Sequence, residues 1–204
     1  MERDHPSAEN IIALYHEGAE AWDSVRKGNC IELAWLERYR ALLPAKAHIL
    51  DLGCGGGDPI AGYFVQHGYH VCGVDSSAPL LALCQQRFPD AEWHLADMRR
   101  IALRKTFGGI LAWDSFFHLT RRDQRHMFSV FHHHSEQETV LMFTSGPDNG
   151  EAIGEFMGQP LYHASLDHDE YRQLLADNGF RVLRQVTEDP DCGGRTVWLA
   201  QREK

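Results

Sequence analysis

Residues 48–77 read HILDLGCGGGDPIAGYFVQHGYHVCGVDSS. An apolar, β-prone run (HILDL) breaks into a turn with glycines at 53, 55, 56 and 57. A helical stretch from Pro59 to His67 follows, and a second apolar run, HVCGV, ends on Asp75. A glycine turn between strand and helix lets backbone approach a ligand that a side chain would keep away. A carboxylate at the end of the next strand suits a pair of ribose hydroxyls. The unit therefore points to a nucleoside-containing cofactor.

The same alternation continues outward. A helix over Pro79 to Phe88 precedes the strand-like runs EWHLA and GGILAW, and a helix from Arg121 to His132 precedes ETVLMFT. A helix from Asp169 to Asn178 closes on Gly179, placed as a left-handed C-terminal cap. Upstream, helical spacing predicts one helix from Ser7 to Arg26, with Ser7 as its cap, and a second from Ile31 to Leu43 that stops at Pro44. Strand–helix alternation of this length predicts a doubly wound α/β fold with a mostly parallel sheet. The last two runs, FRVLRQVTE and TVWLAQ, are joined by PDCGGR, too short for a crossover, and must form an antiparallel hairpin.

Composition bounds the function. The chain has 204 residues, 43% hydrophobic and 24% charged, which fits a single domain over residues 1–204 with a sizeable core. No run approaches the ~20 apolar residues of a membrane span, and MERDHPSAEN lacks a signal-peptide pattern. A net charge of -9 argues against nucleic acid as a partner. Five irregularly spaced cysteines without a CxxC suggest neither a disulfide framework nor a zinc half-site, so a cytoplasmic location is expected.

Several cofactors share a taste for glycine turns. The third glycine of the dinucleotide pattern GxGxxG is replaced here by Asp58, and Asp58–Pro59 reads as a helix N-cap with proline in the first turn. A carboxylate there would repel a pyrophosphate. Asp51 is placed to meet a cationic amine, Asp75 the ribose, and Asp97 in LADM an adenine amino group, with Met98 against the ring. Adenine, ribose, ammonium and sulfonium without phosphate describe S-adenosylmethionine (SAM).

The motifs ILDLGCGGGDPIA, GVDSS, LADM and ILAWDSFFHL, in this order and spacing, resemble the class I SAM-dependent methyltransferases over residues 47–201. The resemblance implies a seven-stranded sheet of order 3-2-1-4-5-7-6 with strand 7 antiparallel. It implies methyl transfer that leaves S-adenosylhomocysteine (SAH). It places Gly53 and Gly55 along the methionine part, Asp75 at the ribose, Asp97 and Met98 at the adenine, and Trp113 beside the sulfonium. Cys54 and Ser76 join this cofactor set by their positions in the motifs; Cys54 is read as a small filler, not a nucleophile. Residues 1–46 would form an N-terminal helical cap on a 47–204 Rossmann-like core. In many members such a helix closes over the cofactor; Trp22 and Arg26, four apart on one face, would then lie on it, Arg26 pairing with its carboxylate and Tyr15 as a companion.

For catalysis, His118 follows the fourth strand's carboxyl end, where open α/β sheets place their sites; the alternative is a helix-capping histidine that only supports the loop. His163 and Asp114 are further candidate bases, with Tyr162 a possible substitute. Residues 145–168 read as an irregular, glycine-containing segment, a substrate lid or a structural loop. His132–His134 are consecutive on a helix and cannot converge on one ion, so no metal is expected. WDSF replaces the NPPY-type motif of enzymes that methylate base or amide nitrogen in DNA or protein, which favours a small-molecule acceptor. A macromolecular substrate and a non-catalytic SAM-binding regulatory module are the alternatives. A nicotinamide oxidoreductase and an aminopropyltransferase fit less well, the first against Asp58 and the terminal hairpin, the second for want of acids to hold a polyamine.

Overall fold

The structure is a computed structural model that describes residues 5–204. Its seven-stranded sheet is built from β1 (His48–Leu52), β2 (His70–Asp75), β3 (Glu92–Leu95), β4 (Phe107–Ala112), β5 (Ser135–Ser145), β8 (Phe180–Asp189) and β9 (Arg195–Arg202). The order is β3-β2-β1-β4-β5-β9-β8, with β9 antiparallel to both neighbours and the other pairs parallel. Between β5 and β8 the chain inserts a separate hairpin, β6 (Gly150–Phe156) and β7 (Gln159–Ser165). Without that insertion the order is the expected 3-2-1-4-5-7-6.

Strand alternation sends residues to two helical layers. Ile49, Leu111, Met142 and Leu199 face Trp35, Leu36 and Tyr39 of α3 (Leu33–Leu42) and Phe64 of α4 (Ile60–Gln66). Leu50, Ile110, Leu141 and Phe143 face Met127, Phe128 and Phe131 of α6 (Arg121–His133) and Tyr171 of α7 (His168–Asp177). All six residues of β4 are buried, as a central parallel strand with both faces covered requires. Among the described residues, no helix is long and apolar enough to cross a membrane.

Four expectations change. The first helix is not continuous: a 3-10 turn, Pro6–Asn10, leads into α1 (Ile11–Glu17), which breaks at Gly18 before α2 (Ala19–Arg26). A Cβ at Gly18 would lie 2.5 Å from Phe156 and 2.8 Å from Met157, so the break is where the hairpin tip packs. Ser7 lies inside the 3-10 turn, and His5 caps it by accepting from the Ser7 amide at 3.2 Å. Asp58 caps no helix: α4 starts at Ile60 with Pro59 as N-cap, and Asp58 accepts from the Gly28 amide at 2.9 Å. Finally, much of 145–168 is a regular hairpin turning through Met157 and Gly158, both with positive φ, as a two-residue turn demands. Five consecutive exposed residues on β6 leave no alternation by which to recognise it.

Candidate active site

A cavity of about 420 Å³ opens at the carboxyl ends of β1, β2, β3 and β4, where the sheet's direction of winding reverses. The loop after β1 supplies its floor. Gly53 has φ +76°, and a Cβ there would lie 2.3 Å from the Ser115 Cβ. Ser115, inside the ILAWDSFFHL motif but given no role there, donates from its hydroxyl to the Leu52 carbonyl at 2.7 Å and so ties the β4 loop to the glycine turn.

The carboxylates stand in different surroundings. Asp75 accepts from the Gly55 amide at 2.9 Å and the Ser77 amide at 2.8 Å. Burial raises its carboxyl above the usual range, against the pull of those backbone bonds. Asp51 is 3% exposed, and burial first, then the Asp75 charge, push its carboxyl up to about 7 while Arg26 works to lower it. Asp97 accepts from the Arg99 amide at 3.0 Å and pairs with the Arg99 guanidinium at 2.6 Å. Burial would raise the Asp97 carboxyl, but Arg99's hydrogen bonds and the charges of Arg99 and Arg100 outweigh it and hold it low. Met98 reaches over the turn, its Cε 3.1 Å from where a Gly53 Cβ would be.

The roof is the N-terminal segment. Trp22 sits edge-on to Tyr15, ring centroids 5.3 Å apart, with Nε1 3.3 Å from the position of a Gly55 Cβ. Asp23 and Arg87 form a two-pronged ion pair, 2.6 Å at each contact, and Arg87 also donates to the Gly56 carbonyl at 3.0 Å. The Asp58 bond to Gly28 adds a second latch from loop to roof. Arg26 lines the cavity, but its guanidinium pairs with the fully buried Glu32, so the expected free partner for a cofactor carboxylate is already engaged.

Cys54 lines the cavity with its thiol pushed up by burial, and the Cys84 thiol donates to the Gly55 carbonyl at 3.1 Å. Ser76 also lines it; Trp113 does too, yet its indole is packed into the α3–α4 core with Nε1 buried and unpartnered.

The three candidate bases separate. His118 lines the cavity, its Nδ1 donating to the Tyr162 carbonyl at 2.8 Å and its Nε2 accepting from the Tyr15 hydroxyl at 2.9 Å. The carbonyl can only accept, so it fixes the tautomer. Burial lowers the His118 imidazole to about 4. Asp114 also lines the cavity, but Arg195 grips its carboxylate at 2.8 and 2.7 Å. His163 lies behind His118, rings 4.8 Å apart, and lines no part of the cavity. None of residues 145–168 does; Tyr162 instead donates its hydroxyl to Glu151 at 2.7 Å. The hairpin acts through contacts, Phe156 stacking on Tyr15 at 5.5 Å.

His132–His134 diverge, His132 bonding the Asn178 carbonyl and His134 accepting from the Leu103 amide.

The methyltransferase-domain family matches residues 49–138. A dTDP-3-amino-3,6-dideoxy-alpha-D-glucopyranose N,N-dimethyltransferase of Streptomyces fradiae is 34% identical over 101 residues, 46% of this chain and 38% of that protein. An O-methyltransferase of Pyrenophora dematioidea is 24% identical over 89% of this chain and 79% of its own length. The chain spans less than half the length of several curated relatives it matches. Among solved structures, a Burkholderia thailandensis 1,6-didemethyltoxoflavin-N1-methyltransferase with bound S-adenosylhomocysteine superposes with TM-score 0.75 at 18% identity, covering 97% of this chain and 87% of that one. Sheet order, glycine turn, strand-end acids and these likenesses agree: residues 49–138 match the methyltransferase-domain family, on a fold similar to that of the class I SAM-dependent methyltransferases.

Proposed function

We propose that this protein transfers a methyl group from SAM to a small-molecule acceptor. The observation that carries the cofactor is Asp75 bonded to the Gly55 amide. In a dinucleotide fold that loop would offer its amides to pyrophosphate; here a carboxylate already takes one. A nucleoside with positive groups and no phosphate suits the site. Asp75 would take the ribose, Asp51 the ammonium, Asp97 and Met98 the adenine, with Gly53, Cys54, Gly55, Ser76 and Trp22 as walls. Bound SAM supplies a methyl already activated on a sulfonium. Of the expected 1–46 cap, the described residues 5–46 then cover the 47–204 core, and the 145–168 segment supports that cap from behind.

The protein's own part is to align the acceptor, keep water out and accept a proton. His118 is the base this arrangement favours, since Arg195 occupies Asp114 and His163 is set back. A proton arriving at the Tyr15 oxygen can be matched by Tyr15 passing its own to His118 Nε2, along the 2.9 Å bond. The acceptors named for a relative and for a structural neighbour, dTDP-3-amino-3,6-dideoxy-alpha-D-glucopyranose and 1,6-didemethyltoxoflavin, support a small molecule, as does a cavity roofed by the N-terminal segment.

Methyl-labelled SAM incubated with the protein and a metabolite extract tests this directly. Label on one small molecule supports the reading. Label confined to protein or nucleic acid overturns the small-molecule part, and SAH binding without any transfer favours a regulatory module. Asp51 makes a separate prediction. Its anionic form is the one that holds an ammonium, so SAH affinity should rise as pH increases through about 7. Below that, up to about tenfold is lost per pH unit. Titration calorimetry from pH 5.5 to 8 should show this for the wild type, and Asp51→Asn should be flat. A flat wild-type profile removes Asp51 from the site.

A further inference from the structure

We propose that the acceptor carries an anionic group, phosphate or carboxylate, received at the cavity mouth by Arg122. This rests on the methyltransferase reading above and names the class of its substrate. In a chain of net charge -9, seven of the 20 lysines and arginines fall in two short stretches: Arg99, Arg100, Arg104 and Lys105, then Arg121, Arg122 and Arg125. The fold joins these stretches, since Arg99 pairs with Asp123 at 2.7 Å and its carbonyl meets His126 Nε2 at 3.1 Å. Of the joined region, Arg99, Thr120, Arg122 and Asp123 line one wall of the cavity, whereas Lys105 pairs with Glu92 and Arg125 with Glu170 away from it.

The carboxylates on this wall are already neutralised. Arg99 bridges Asp97 and Asp123, and the nearby charge of Arg100 adds to the field that keeps Asp97 ionised. Arg99 is thereby committed, whereas Arg122 is not. Its side chain is 82% exposed, and its closest carboxylate contact is a 3.6 Å approach from Nε to Asp123, longer than a hydrogen bond. A guanidinium at the rim of a cavity is suited to bidentate capture of a carboxylate or phosphate. The remaining lining acids, such as Glu9 on the roof, stand on other elements. An overall negative protein repels an anionic substrate, so an exposed guanidinium beside the opening, next to acids that Arg99 already holds, is what would recruit one.

The test uses methyl-labelled SAM, a metabolite extract, and wild-type and Arg122→Glu protein. The labelled product should bind an anion exchanger at neutral pH. Arg122→Glu should slow labelling at least tenfold at limiting acceptor while leaving SAH affinity within twofold, and Arg122→Lys should recover part of the loss. Phosphatase treatment separates the two sources, because only a phosphate ester loses its retention. A neutral or cationic product, or wild-type labelling by Arg122→Glu, overturns the proposal. If no label transfers, the methyltransferase reading fails by itself, and pyrophosphate and citrate titrated into the SAH-loaded protein then decide the anion site. Saturable binding weakened at least tenfold by Arg122→Glu supports it; no binding, or equal binding by the variant, sinks it.

Discussion

Gly53→Ala is expected to weaken SAH binding at least 100-fold, about 2.7 kcal/mol, in a protein that still folds. Two effects add. An alanine held at φ +76° is strained by roughly 1–2 kcal/mol. Its Cβ would also stand 2.3 Å from the Ser115 Cβ, and Ser115 cannot retreat freely because its hydroxyl holds the Leu52 carbonyl. Either the glycine turn or the β4 loop must move, and both border the cavity. Calorimetry with SAH, alongside near-ultraviolet circular dichroism for the fold, checks this. Adding Ser115→Gly removes the clashing carbon and should restore part of the affinity. Wild-type binding by Gly53→Ala would show that the cofactor does not use this turn.

His118→Ala should lower the rate of methyl transfer by about 10²–10³, within the usual contribution of a positioned base, and change SAH affinity by less than threefold. The pH profile gives the residue away. A base must be unprotonated to act, and burial holds this imidazole at about 4. At saturating SAM, where loss of cofactor affinity does not enter, the rate should therefore stay level as pH falls through the ordinary histidine range near 6.5 and drop only as it approaches 4. An acid limb centred near 6.5 would point to another group. The same imidazole affects stability: between about 6.5 and 4 the unfolded chain binds a proton that the folded one does not. The fold should lose stability as pH falls across that window, and His118→Ala should remove that part of the loss. Denaturant midpoints at pH 4.5 and 7.5 for the two proteins measure it.

Much of the site could be read from the chain because it depends on local order. A glycine turn after β1 and acids after β2 and β3 occupy strand ends whatever the helices do, so Gly53, Asp75 and Asp97 converge once the sheet order is known. Asp58 misled for a local reason too: Asp–Pro is a strong capping signal, yet the Gly28 amide claims its carboxylate. The hairpin within 145–168 read as irregular because exposure on β6 hides its period; that segment lines no part of the cavity, whereas the N-terminal segment, expected as a cap, does.

Periodicity and turn chemistry act over a few residues, so the strands, their parallel winding, the reversed last strand and the acids at the carboxyl edge were legible in the chain. Who pairs with whom was not. Arg26 goes to Glu32, Asp114 to Arg195 81 positions away, and His118 to Tyr15 103 positions away and to the Tyr162 carbonyl. Those choices turn on ångström separations between elements distant in the chain, and burial then sets what each group can do. A histidine that is an ordinary base in the sequence becomes, enclosed between roof and hairpin, one that stays neutral to about pH 4.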